Sequence, residues 1–151
     1  MVVTLVAGCG FQLQGALTVP PEMERTYIVT DDRHSLFYRK LRSRLRAAGV
    51  GLADTAADST ATLSILRDET DQRVLSVSAR NVPTEYEVFY TVEYAIDGDS
   101  GRLLDARMLT GTRDYTYDSE LVLGKSREEE LMREAIADDL VSIVLKQISR
   151  L

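Results

Sequence analysis

Between Glu85 and Ile96 the chain alternates with a period of two. Tyr86, Val88, Tyr90, Val92, Tyr94 and Ile96 fall on one side, and Glu85, Glu87, Phe89, Thr91, Glu93 and Ala95 on the other. Successive side chains of a strand point to opposite faces, so this stretch predicts a half-buried antiparallel strand about 40 Å long at roughly 3.3 Å per residue. Weaker alternation predicts strands over Thr60–Arg67 (Ala61, Leu63 and Ile65 together) and Arg73–Ala79 (Leu75, Val77 and Ala79 together). Another runs from Leu103 to Tyr117, with Leu109, Tyr115 and Tyr117 on one face, and a short one covers Arg25–Thr30. The polar runs Asp68-Glu69-Thr70-Asp71 and Asp97-Gly98-Asp99-Ser100-Gly101 read as the turns between them, and Ala53–Asp58 as a loop.

Two segments change to helical spacing. From Ser35 to Ala48, Leu36, Phe37, Leu41, Leu45 and Ala48 recur every three or four residues, and Gly49 is a natural stop. From Ser126 to Ile148 the apolar stripe is Leu131, Ala135, Ile136, Leu140, Ile143, Val144 and Ile148. Ser126 and Glu129 have capping-box spacing, and Glu128-Glu129-Glu130 suits the positive end of a helix. The predicted order is therefore β-α-β-β-β-β-α. A first strand–helix–strand crossover pairs in parallel and is right-handed, and the remainder is an antiparallel meander. Two helices on one face of a mixed, mostly antiparallel sheet make a two-layer α+β sandwich. Its other sheet face, carrying Glu85, Glu87 and Glu93 beside Phe89, is either wet or an interaction surface.

Composition narrows the class. A chain of 151 residues with 44 % hydrophobic and 28 % charged residues supports one domain with a proper core. Its net charge of −6 argues against nucleic acid as a partner. No apolar run approaches the roughly 18–20 residues that span a bilayer.

The single cysteine excludes an internal disulfide framework and a multi-Cys metal site. Its position, Val6-Ala7-Gly8-Cys9, has the bacterial lipobox arrangement of an aliphatic residue and two small residues before Cys. Cys9 is therefore expected to be the lipid-modified residue, carrying N-acyl and S-diacylglycerol groups. Met1–Gly8 lacks a basic n-region and a full-length h-region, so residues 1–8 read as the remnant of a signal peptide. Residues 9–24, with Pro20-Pro21, read as a lipidated tether, and 25–151 as the single α+β domain.

Cys9-Gly10-Phe11-Gln12-Leu13 is followed in order by the helix ending Leu45-Arg46-Ala47-Ala48-Gly49-Val50, by Arg80-Asn81 with Glu85-Tyr86-Glu87, and by Leu123-Gly124-Lys125 before the acidic helix start. In these motifs and their order the chain resembles the LptE family of lipopolysaccharide-assembly lipoproteins. The resemblance implies an outer-membrane lipoprotein that plugs and helps assemble a β-barrel partner, LptD, and binds lipopolysaccharide during its insertion into the outer leaflet. It implies contact with the membrane's inner leaflet through the lipid, no other cofactor, and no metal. It also implies that Arg80 and Lys125 bind lipopolysaccharide, whose phosphates suit cationic donors. As a plain alternative, Arg80 is a solvated strand end and Lys125 pairs with Glu128 or Glu129.

Three other features have bland readings beside sharper ones. Arg39, Lys40, Arg42, Arg44 and Arg46 form either a solvated helix face or a surface for acidic lipid or barrel residues. Tyr86, Tyr90 and Tyr94 are either core or a lipid-facing strip. His34, the only histidine, sits in a charged turn. No nucleophile elbow, metal-ligand spacing or phosphate-cradling glycine loop is present. Glu85 and Glu87 share a strand face about 7 Å apart, with no apolar pocket implied to raise one pKa. The expectation is a binding protein rather than an enzyme. An auxiliary lipoprotein of another lipid-transport system, and a small periplasmic hydrolase, are its rivals.

Overall fold

A computed structural model describes residues 18–116 and 122–151, with backbone alone over 122–126. The elements are β1 (Arg25–Val29), α1 (Leu36–Ala47), β2 (Gly51–Leu52), β3 (Ala61–Val77), β4 (Pro83–Gly98), β5 (Gly101–Thr116) and α2 (Val122–Ile148). The strands form one sheet in the order β2-β1-β3-β4-β5. β1 runs parallel to β2 and β3, and β3, β4 and β5 are antiparallel. α1 packs on α2, and α2 on β4 and β5. This is the expected two-layer α+β sandwich on a mixed, mostly antiparallel sheet.

The expected element order is also found, but built from different strands. Gly51–Leu52 supplies an extra short strand, and the segments 60–67 and 73–79 are one continuous β3. The predicted turn at Asp68–Asp71 does not form, because β4 offers those residues a full hydrogen-bonding partner: Asp68 pairs with Val92 and Asp71 with Phe89. A bulge between Ile65 and Arg67 leaves Leu66 as the extra residue. A one-residue insertion exchanges the two faces of everything beyond it. Before the bulge, Ala61, Leu63 and Ile65 are buried; after it, Asp68, Thr70 and Gln72 stand opposite the inward Val92, Tyr90 and Val88. Leu75 and Val77, which the alternation groups with Ala79 on one face, are 45 % and 52 % exposed.

A polar side chain on the helix-facing side needs partners, since an unpaired one costs about 1–3 kcal/mol. Asp68 has them: Tyr90 Oη donates to Oδ1 at 2.6 Å and Ser35 Oγ donates to Oδ2. Ser35 is also the N-cap of α1, accepting from the Tyr38 amide at 3.1 Å. The other end of α1 closes as a Schellman turn. Val50 N–H reaches Leu45 O, Gly49 N–H reaches Arg46 O, both at 3.0 Å, and Gly49 takes φ +88°.

The core lies between the layers. Phe37, Leu41 and Leu45 from α1 meet Leu63, Val88, Tyr90, Val92, Tyr94 and Ile96 from the sheet, and Ile136, Leu140, Val141, Val144 and Ile148 from α2. Each such side chain contributes about 1.5–3 kcal/mol by leaving water. α2 departs from expectation in two ways. It begins at Val122, so Ser126 lies inside it and is not its cap, and Glu129 bonds to Arg133 one turn on. Its buried stripe keeps the predicted Ile136, Leu140, Val144 and Ile148 but shifts at its edge: Ala137 and Val141 are buried, while Leu131 and Ile143 are 51 % and 43 % exposed. No helix among the described residues is long and apolar enough to cross a membrane.

Candidate functional site: the hairpin end of the sheet

β3 and β4 run past the helices to a five-residue turn, Ser78 to Val82, at one end of the molecule. Ser78 N–H donates to Val82 O at 2.8 Å, Asn81 N–H to Ser78 O at 2.9 Å, and Val82 N–H to Ser78 Oγ at 3.2 Å. Asn81 takes φ +59°, a left-handed conformation that asparagine tolerates better than most residues. The turn therefore holds itself, and Arg80 at its apex is exposed. Arg80 makes no hydrogen bond or ion pair among the described residues. Around it, Val74, Leu75, Val77 and Val82 are each between 45 % and 52 % exposed.

Chain direction brings the start of α2 to the same end. β5 finishes at Thr116, which pairs with Glu85 near the beginning of β4, and α2 then starts at Val122. Lys125 is thus the fourth residue of α2, not the residue before it; its side chain lies outside the described residues. Of its alternative partners, Glu129 is engaged by Arg133. Cys9 and the tether through residue 17 also lie outside the described residues.

Between the turn and the core, Tyr86 stacks on Tyr115 with ring centroids 5.6 Å apart and planes 16° from parallel. Tyr115 donates to Gln72 Oε1 at 2.8 Å. Burial pushes its phenol pKa up, and the negative charge of Glu129 adds to the shift. Tyr90 and Tyr94, by contrast, are core residues, 2 % and 0 % exposed, so the aromatic strip is mostly structural. Burial raises the pKa of both, Tyr94 to about 12.

The remaining candidates separate. His34 is exposed, with its backbone N–H on Asp32 Oδ1 at 2.7 Å. Glu85 accepts from Ser76 Oγ at 2.7 Å. Glu87 Oε2 lies 2.6 Å from an Arg73 nitrogen without hydrogen-bond alignment, so charge rather than a directed bond holds it. The two glutamates serve different partners and form no catalytic pair. Among the described residues no cluster of three metal-ligating side chains occurs. The basic helix face divides: Lys40 bridges to Asp138 of α2 at 2.7 Å, and Arg42 and Arg46 line a cavity. Sequence reading missed that cavity; its only signal was the four-residue spacing of Tyr38, Arg42 and Arg46.

Comparison with known proteins gives a consistent set. The model of the family LptE, Lipopolysaccharide-assembly, matches residues 23–148. An LPS-assembly lipoprotein LptE from Yersinia enterocolitica is 24 % identical over 149 residues, covering 98 % of this chain and 72 % of that protein. The crystal structure of rare lipoprotein B from Shewanella oneidensis superposes with a TM-score of 0.72 at 26 % identity, covering 83 % of this chain and 94 % of the other. An uncharacterized lipoprotein B from Nitrosomonas europaea, solved by NMR, shares the fold with a TM-score of 0.77 at 24 % identity, over 93 % and 91 % of the two chains.

Proposed function

The chain belongs to the LptE family of lipopolysaccharide-assembly proteins, and we propose that it is an outer-membrane lipoprotein that binds lipopolysaccharide while plugging an LptD-type β-barrel. The family match over residues 23–148 carries this reading. In it, a lipid on Cys9 holds the domain at the periplasmic side of the outer membrane. The body sits in the barrel lumen and helps the barrel assemble. The role is binding, without bond-making chemistry.

The geometry of the hairpin end supports the choice of binding site. Arg80 is exposed and free of ion pairs among the described residues, and it stands beside the exposed apolar side chains of Val77 and Val82. A cation next to apolar surface matches a ligand that is phosphorylated at one end and acylated at the other. Lys125, in the first turn of α2 at the same end, adds a second positive charge where backbone amides and the helix dipole favour anions. The helix-free sheet face carries Arg67, Glu69, Thr91, Thr110 and Thr112 with Phe89 and Met108 among them, a mostly polar surface suited to a water-filled lumen.

The test is lipopolysaccharide binding by the double variant Arg80→Asp/Lys125→Asp. Reversing two charges is expected to weaken binding roughly tenfold or more, with the circular dichroism spectrum and barrel co-purification unchanged. Binding at wild-type strength removes both residues from the site.

A further inference from the structure

Far from the hairpin turn, on the β2 side of the sheet, a cavity of about 80 Å³ lies between α1 and the β1–β2 edge. Arg33 from the loop after β1, and Tyr38, Arg42 and Arg46 from α1, line one side of it. Thr26 and Tyr27 of β1 and Asp54 after β2 are its other polar lining residues. Residues 38, 42 and 46 are spaced by four, so they form one stripe of the helix. The cavity adjoins the stretch of β1 that pairs with Ala61–Ser64, whereas the hairpin turn begins after Val77. At roughly 3.3 Å per residue, the two places are about 40 Å apart along β3.

The charge at this cavity is unbalanced. Elsewhere Lys40, Arg73, Arg102, Arg113 and Arg133 each hold a carboxylate at 2.5–2.7 Å. Arg33, Arg42 and Arg46 hold none among the described residues; Arg39, Arg44 and Arg80 also hold none, but the first three gather at one concavity in a chain of net charge −6. Like charges four residues apart on a helix repel each other. Asp54, the one carboxylate in the lining, makes no ion pair with them within 4.0 Å. The hydroxyl of Tyr38 also lacks a partner among the described residues. Arg33, Arg42 and Arg46 are exposed at the mouth of the cavity, and a guanidinium group can hold a tetrahedral oxyanion in two-pronged fashion. The cavity also has room for one such group, since a water needs only about 10–15 Å³ of this kind of space.

We propose that the cavity lined by Arg33, Arg42, Arg46 and Tyr38 is a second anion-binding site, separate from the hairpin end, that takes a phosphate group. The phosphate is either free or borne on a sugar headgroup. A concave site built for one small anion favours phosphate over an acidic protein surface, which needs a broad, flat face. The site does not depend on the proposed role of Arg80 and Lys125, so the two stand or fall separately.

The experiment titrates the full chain at low salt with inorganic phosphate, with glucosamine 1-phosphate and with a hexa-aspartate peptide, following the arginine side-chain N–H resonances by NMR. Saturable shifts of Arg42 and Arg46 with both phosphate probes are expected. The Arg42→Gln/Arg46→Gln variant should bind about tenfold more weakly or worse. The Arg39→Gln/Arg44→Gln variant, which removes equal charge outside the cavity, should bind as wild type. Tighter binding of glucosamine 1-phosphate identifies a sugar headgroup as the source, and equal binding identifies free phosphate; either sustains the proposal. No saturable shift with either phosphate probe overturns it. Equal weakening in both variants overturns it in favour of diffuse charge, and binding of the peptide alone overturns it in favour of an acidic protein partner.

Discussion

A Cβ added at Gly111 would lie 2.6 Å from Ile136 Cγ2 and 3.8 Å from Leu140 Cδ2, so α2 rests directly on the β5 backbone at this point. A β-branched isoleucine has little rotamer freedom with which to yield. Gly111→Ala is therefore expected to cost about 1–3 kcal/mol in urea unfolding. Combined with Ile136→Ala, which removes the clashing methyl, its additional cost should fall well below that value; strictly additive losses would show that the close approach is not what matters. Tyr94 sets a different limit. Its hydroxyl donates to Gln147 of α2, and burial raises its pKa from 10.0 to about 12, opposed only by the charge of Arg107. The folded pKa lies above the unfolded one, so this contribution is complete below pH 10 and disappears as pH rises from 10 to 12. Tyr94→Phe should flatten the fall in stability across that window by on the order of 2 kcal/mol, as measured by denaturant melts at successive pH values. An unchanged slope would assign the alkaline loss to Tyr90 and Tyr115 alone.

Elements were legible in the sequence wherever one rule governed the whole segment. β4 alternates without interruption and α1 carries its own stop signal at Gly49, so both lie close to where the pattern puts them. β3 was misread because two phases of one strand are joined at Leu66. The second phase puts Asp68, Thr70 and Gln72 on the helix-facing side, where periodicity rules look for apolar residues. What makes that placement stable is tertiary: the hydroxyls of Tyr90 and Ser35 converge on Asp68, and Tyr90 Oη in turn accepts from the Phe37 amide at 3.2 Å. None of these partners is near Asp68 in sequence. Asp68→Ala is expected to destabilise the fold by about 1–3 kcal/mol, because it strands two donors. In a double-mutant cycle with Tyr90→Phe the two losses should overlap rather than add. Additive losses, measured by chemical unfolding, would mean that the network does not link α1 to the strand pair. The α2 stripe was legible in part: Ile136, Leu140, Val144 and Ile148 are buried where the spacing puts them, but the core takes Ala137 and Val141 in place of Leu131 and Ile143.

For the whole molecule, chain direction does what local pattern cannot. The turn bearing Arg80 and the first turn of α2 come to one end because β4 and β5 run out and back over nearly the same length. That much followed from strand order. The cavity at Arg33, Arg42 and Arg46 did not, since it needs a loop, a helix and the pairing of β2 with β1 to assemble. Among the described residues the buried cluster runs from Met23 to Ile148, and the proposed anchor at Cys9 is a separate question. One acyl chain gives only marginal membrane binding, whereas an N-acyl chain together with diacylglycerol supplies several chains on a single residue. Removing that residue should therefore abolish anchoring at one stroke and leave the domain folded. Cys9→Ala, in cells exporting the protein, is expected to lose labelling by radioactive palmitate and to move from the membrane to the soluble fraction, with the circular dichroism spectrum unchanged. Labelling that persists in the variant would put the lipid on another residue and withdraw Cys9 as the tether.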